Sequence, residues 1–214
     1  MPIRKAAFSS DVLDYMAGLA RQDELLARVE REASERPDSE MQITPDQGAL
    51  LTVLARLVGA QRALEVGTFQ GYGAICIARG LAPGGTLTIL EVSEEFASAA
   101  ERNLADAGLS DRVRVQVGPA VDSLEVMPEE PTFDFVFLDA DKGAYARYYD
   151  LLVPRLVTGG LLLIDNTLLR GTVVEPDDDR SRIVAELNER IADDERVDSA
   201  LALVADGLTF VRKR

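Results

Sequence analysis

From residue 61 onward the chain alternates short, almost unbroken apolar runs with stretches at helical spacing. The runs fall at 63–66, 86–90, 113–117, 133–138 and 161–164. A Gly-rich turn and a helix running to 82 follow the first, a helix over 93–107 follows the second, and a helix over 144–157 separates the last two. Strands that are apolar throughout are buried on both faces, and strands separated by helices form a parallel sheet covered on both sides. The pattern therefore predicts an α/β fold: a Rossmann-like, doubly wound, mostly parallel sheet.

The flanks differ. Residues 9–59 read as N-terminal helices. Ser10 is placed to cap one; Leu25, Leu26, Val29 and Ala33 keep helical spacing until Pro37 and Asp38 break it; Pro45 opens another that ends at Gly59. After the fifth strand, a helix over 180–192 leads to strands at 197–204 and 208–211, and Asp206-Gly207 between them signals an antiparallel hairpin. The acidic run Glu175-Pro176-Asp177-Asp178-Asp179 reads as a solvated turn. No repeat divides the 214 residues, which are expected to form one domain.

Composition narrows the chemistry. Acidic residues outnumber basic ones 37 to 23, so the net charge of −14 argues against nucleic acid or an anionic membrane as partner. The absence of histidine excludes a Ser-His-Asp triad, an imidazole base and any His-ligated metal. Cys76 is the only cysteine, which removes disulfide frameworks and Cys-x-x-Cys zinc sites. Met1 to Phe8 lacks the apolar stretch of a signal peptide, and no apolar run is long enough to span a membrane, so a cytoplasmic protein is expected.

Three constellations remain. Glu65-Val66-Gly67-Thr68-Phe69-Gln70-Gly71-Tyr72-Gly73 is a glycine turn between a strand and its helix, where the backbone can approach a ligand closely; its spacing is not that of a dinucleotide fingerprint. Glu91 ends the next strand, where a carboxylate can accept from both hydroxyls of a ribose. Together they point to an adenosine-containing cofactor. Asp139 and Asp141 end the fourth strand and Asp165-Asn166 the fifth. If the first, fourth and fifth strands are neighbours, Asp139, Asp165 and Asn166 converge as oxygen donors suited to Mg2+ or Ca2+. Lys142 beside such a dication is a candidate general base.

With these residues in view, the chain resembles the cation-dependent, S-adenosylmethionine (SAM)-dependent O-methyltransferases of the catechol and caffeoyl-CoA type. The similarity runs from about Tyr15 to Lys213. It is carried by Met41-Gln42-Ile43-Thr44-Pro45, Leu64-Glu65-Val66-Gly67-Thr68, Asp139-Ala140-Asp141-Lys142, Asp165-Asn166 and Asp206-Gly207-Leu208-Thr209. The resemblance implies that Asp139, Asp165 and Asn166 hold Mg2+ and that Lys142 is the catalytic base. Glu91 would hold the ribose and Ala120 lie by the adenine. Ile43, Glu65, Gly67 and Thr68 would line the methionine end, with Asp139 also facing its amino group. It further implies a homodimer acting on a small phenolic acceptor, with residues 1–59 packing over the cofactor and acceptor site.

Two positions depart from the family. Gly73, in the cofactor turn, stands where a serine is common, so one hydroxyl contact to the cofactor is missing. Leu168-Leu169 stand near a common tryptophan on the acceptor side. The acidic charge disfavours a polyanionic CoA ester unless Arg4, Lys5, Arg21 or Arg170 form a local basic patch. Two other readings compete: a non-catalytic cofactor-binding relative, and a nicotinamide-dependent oxidoreductase.

Overall fold

A computed structural model describes residues 10–214; the amino-terminal stretch, with Arg4 and Lys5, lies outside the described residues. Three helices precede the sheet: α1 (Ser10–Leu19), α2 (Glu24–Ser34) and α3 (Pro45–Val58), with a short 3-10 turn at Ser39–Met41. The Asp23 carboxylate accepts from the Leu26 N–H at 3.0 Å and so caps α2, whose buried face is Leu26, Val29 and Ala33. Proline opens α3, and Gly59, left-handed at φ 66°, ends it.

The alternating region then runs β1 (Arg62–Val66), α4 (Tyr72–Gly80), β2 (Thr86–Glu91), α5 (Glu94–Asp106), β3 (Val113–Val117), α6 (Ala120–Val126), β4 (Phe133–Leu138), α7 (Tyr145–Leu152), β5 (Leu156–Ile164), α8 (Asp179–Ala192), β6 (Val197–Ala202) and β7 (Leu208–Lys213). The sheet order is β3-β2-β1-β4-β5-β7-β6. The first five strands pair in parallel, and β7 enters antiparallel between β5 and β6.

Each central strand feeds two cores. Ala63, Phe135, Phe137, Leu161 and Leu163 face α3 and α4, together with Leu51, Ile75 and Ile77. Leu64, Val66, Val136, Leu138, Leu162 and Ile164 face the other side, against Tyr145, Tyr149, Leu152, Val184 and Leu187. This two-sided burial is why the strands lack polar alternation.

The structure corrects several boundaries. The helix expected to reach 157 stops at Leu152; Pro154, which has no N–H to give, sits in a 3-10 turn at Val153–Arg155, and β5 starts at Leu156 rather than 161. It crosses Gly159-Gly160 with a register irregularity against β4, so the glycines hid its first half. Helix α6 was not foreseen; at 7 residues it is too short to show a period. The acidic run is more than a solvated turn: the Asp178 carboxylate accepts from the Ser181 N–H at 2.6 Å, forming a capping box that starts α8. Among the described residues, no helix is long and apolar enough to cross a membrane.

Candidate active site

The sheet sets β1, β4 and β5 side by side with their carboxyl ends in register. The Asp139 N–H donates to the Val66 carbonyl at 2.9 Å, and the Asp165 N–H to the Leu138 carbonyl at 3.0 Å. The condition placed on the acidic cluster is therefore met. Gly67, Asp139 and Asp165 follow one another across the strand ends, where a doubly wound sheet takes its ligands.

The glycine turn is held from the β2 side. Glu91, 5% exposed, accepts through Oε2 from the N–H groups of Thr68 (2.9 Å) and Phe69 (3.3 Å), and through Oε1 from Ser93 (2.9 Å). Gly67 is left-handed at φ 82°, and a Cβ there would overlap the Asp139 carbonyl, so only glycine fits. Phe69 also has positive φ; it meets Phe96 edge to face at 4.9 Å, and the Arg36 guanidinium lies over both rings. The segment before Ile43 is thereby packed against the turn. Ala120 is buried at the start of α6, just beyond Gly118, whose N–H donates to the Glu91 carbonyl at 2.9 Å.

Glu65 lies beneath the turn, 1% exposed, with its Oε2 accepting from the Thr68 hydroxyl at 2.7 Å. Burial pushes its carboxyl up to about 8, partly opposed by the Thr68 bond and reinforced, to a lesser extent, by the charges of Asp139 and Glu91. A Cβ on Gly73 would stand 2.6 Å from Glu65 Oε1 and 3.4 Å from Ile43 Cδ1. A side chain at Gly73 would thus be crowded by Glu65. Ile43, Glu65, Thr68 and Gly73 form one contact cluster.

At the acidic end, Lys142 Nζ donates to Asp139 Oδ1 at 2.5 Å, with both side chains largely covered. Asp141 caps the short Lys142–Ala144 turn by accepting from the Gly143 N–H at 3.2 Å. Asp165 is 2% exposed, and its carboxyl is raised well above the ordinary carboxylate range, by burial first and by the Asp139 charge second. The Gln47 amide, the Asn166 N–H (2.8 Å to Oδ1) and the Lys142 charge oppose this. Two carboxylates with one ammonium leave buried negative charge that a hard dication would relieve. Among the described residues no three Cys, His, Asp or Glu gather as a metal cluster. Asp139, Asp165 and Asn166 fit such an ion by donor chemistry.

Gln47 was missed by the sequence reading. It is 1% exposed on α3, four residues before Leu51 and eight before Ala55, both buried, and its Nε2 lies near the Asp165 carboxyl without completing a hydrogen bond of normal geometry. A polar residue on that apolar stripe was the available signal.

Beyond Asn166 the chain turns through Leu168 and Leu169. Leu169 is buried in the core that holds Tyr145, and Leu168 packs on Gly207. The next side chain, Arg170, is exposed and bonds Glu40 at 3.0 Å, tying this segment to the turn that leads to Ile43. Arg21 instead lines a small cavity with Arg56 and Arg79. Among the described residues, Arg21 and Arg170 lie in different surroundings.

Residues 17–214 match the family described as O-methyltransferase. Caffeoyl-CoA O-methyltransferase 1 of Zea mays is 31% identical over 220 residues, covering 96% of this chain and 85% of its own length. The solved O-methyltransferase from Bacillus cereus in complex with SAH superposes with a TM-score of 0.85 at 32% identity, over 95% of this chain and 97% of its own. TomG from Streptomyces achromogenes, an O-methyltransferase involved in tomaymycin synthesis and solved with SAM, gives 0.83 at 33% identity, over 95% and 96%.

Proposed function

The chain belongs to the SAM-dependent O-methyltransferase family, and from that premise we propose that it methylates one hydroxyl of a small vicinal dihydroxy aromatic, using Mg2+ or a similar hard dication. The observation that carries this reading is the buried Asp165 carboxyl beside the Asp139–Lys142 pair. That arrangement has donors for a cation and a base within one strand-end cluster.

In this reading Asp139, Asp165 and Asn166 hold the cation. When bound, it stabilises the phenolate of an acceptor whose free pKa is about 10. Lys142 Nζ takes the acceptor proton. Nζ donates to Asp139, so that bond must be given up for Nζ to face the acceptor hydroxyl. Glu91, whose oxygens keep lone pairs beyond the loop bonds, accepts from the ribose hydroxyls, and Ala120 borders the adenine. Ile43, Gly67, Thr68 and Glu65 line the methionine end, Gly73 leaves Glu65 its room, and Asp139 also faces the amino group. In this reading the described part of the N-terminal segment, residues 10–59, packs over this site. Positioning of oxygen, sulfur and methyl supplies much of the rate.

The pairing of Arg170 with Glu40, and the net charge of −14, favour a free phenolic acceptor over a CoA ester. A homodimer in the cytoplasm completes the reading, with neither nucleic acid nor membrane as partner. The test is a panel of vicinal diols, their monohydroxy counterparts and a caffeoyl-CoA ester with labelled SAM, each with Mg2+ and with EDTA. Transfer only to diols and only with metal is expected. Equal transfer to monophenols in EDTA overturns the proposal.

A further inference from the structure

We propose that Asp206, on the β6–β7 turn, is a positioning residue for the metal and acceptor end of the site, acting by holding residues 166–171 in an otherwise unfavourable backbone conformation. This rests on the preceding reading for what those residues serve. Asn166 (φ 53°) is left-handed, and Leu169 (44°), Arg170 (53°) and Gly171 (90°) form a left-handed run; asparagine and glycine tolerate this conformation, but the side chains of Leu169 and Arg170 disfavour it. Such a run persists only where its surroundings over-determine it.

The surroundings are the Asp206-Gly207 turn. The Thr167 N–H donates to the Gly207 carbonyl at 3.0 Å and the Leu168 N–H to the Asp206 carbonyl at 2.9 Å. The Arg170 N–H then donates to Asp206 Oδ1 at 2.6 Å, a bond spanning 36 residues. Gly207 is left-handed at φ 90°, and a Cβ there would stand 2.5 Å from Leu168 Cγ, so the turn and the segment meet face to face. Strand β7 fixes this approach by pairing Thr209 with Ile164, at the end of β5.

A carboxylate that only shaped its own hairpin would bond within the hairpin. Oδ1 of Asp206 instead reaches the Arg170 N–H, in the middle of the left-handed run, where the chain passes from Leu169 in the core to the exposed Arg170. Upstream of that run is Asn166, the amide donor of the cation set. Asp206 thereby sets where Asn166 stands and how Arg170 meets Glu40, without touching cation or acceptor.

The test compares Asp206→Ala and Asp206→Asn with wild type. Amide hydrogen exchange over 166–171 should rise in the alanine variant and stay close to wild type in the asparagine variant, which keeps an acceptor oxygen. Mn2+ binding, followed by its paramagnetic resonance signal, should weaken roughly tenfold in the alanine variant, and the KM for a diol should rise while SAM affinity holds. Unchanged exchange at 166–171 overturns the positioning role whatever the metal result. Equal losses of SAM and Mn2+ affinity overturn it in favour of general destabilisation. Failure of wild type to bind Mn2+ overturns the metal reading, while the exchange result still decides the role of Asp206. If the alanine variant does not fold, Asp206→Ser, whose shorter side chain leaves the Arg170 N–H unmet, takes its place.

Discussion

The Glu65 carboxyl fills the room that a side chain on Gly73 would need, its Oε1 lying 2.6 Å from the position of a Cβ there. One residue comes from β1 and the other from the first turn of α4, and both are buried, so neither can yield into solvent.

Gly73→Ala should therefore force Glu65 to shift and destabilise the protein by about 1–3 kcal/mol. Gly73→Ser crowds the same oxygen but can donate to it, which should recover about 0.5–1.5 kcal/mol. Urea denaturation of the two variants measures the difference. Equal losses would show that crowding alone governs this position.

Glu65 also predicts a pH dependence. Its carboxyl ionises near 4.5 when unfolded and near 8 when folded. Its stabilising contribution is complete below 4.5, declines as pH rises to about 8 and is flat above, for a total on the order of a few kcal/mol. Glu65→Gln should remove about half of the slope up to pH about 7, where Asp165, raised in the same direction, contributes equally, and nearly all of it from there to about 8. A denaturation midpoint followed from pH 5 to about 8.5 checks both signs; an unaltered slope in the glutamine variant would remove Glu65 as its source.

Glu91→Ala should cost stability before any cofactor is added, because the N–H groups of Thr68 and Phe69 lose their acceptor in a buried turn. About 1–3 kcal/mol is expected from that loss, with a further weakening of SAM binding if the carboxylate holds the ribose. Calorimetry and denaturation on one preparation separate the effects. Lost affinity with unchanged stability would mean that the loop bonds are dispensable.

The metal predictions follow from placement. EDTA and Asp165→Ala should each abolish transfer while leaving SAM affinity nearly intact, whereas Asp139→Ala should damage both. Lys142→Met should lower turnover by ~10²–10⁴-fold with SAM affinity unchanged. Methyl transfer that persists at full rate in EDTA would falsify this mechanism.

The legible parts of this chain were those decided locally. Leu64, Val66, Phe135 and Leu163 announce buried strands by composition alone, and Asp139, Asp165 and Glu91 were placed by the rule that ligands gather at strand ends. Contacts made across the fold were not legible. Gln47 joins the site because α3 lies against β5, Leu169 turned out to be core because the chain doubles back in left-handed steps, and the room beside Gly73 depends on the conformation of Glu65. Start points hidden by glycine or proline, as in β5, fail for the opposite reason: the residues there report backbone freedom rather than burial.

The strand order has a consequence for synthesis. Because β7 is later in the chain than β6 yet lies inside it, a growing nascent chain that has already paired β1 to β5 still presents the outer edge of β5 unpaired. The cofactor turn, built from residues 62–126, is complete at that stage, whereas the Asn166 to Gly171 segment waits for Asp206 and Gly207 to emerge. The two halves of the pocket thus mature at different times, and a cofactor captured by the early half would stabilise the chain through the interval in which its sheet edge is open to mispairing.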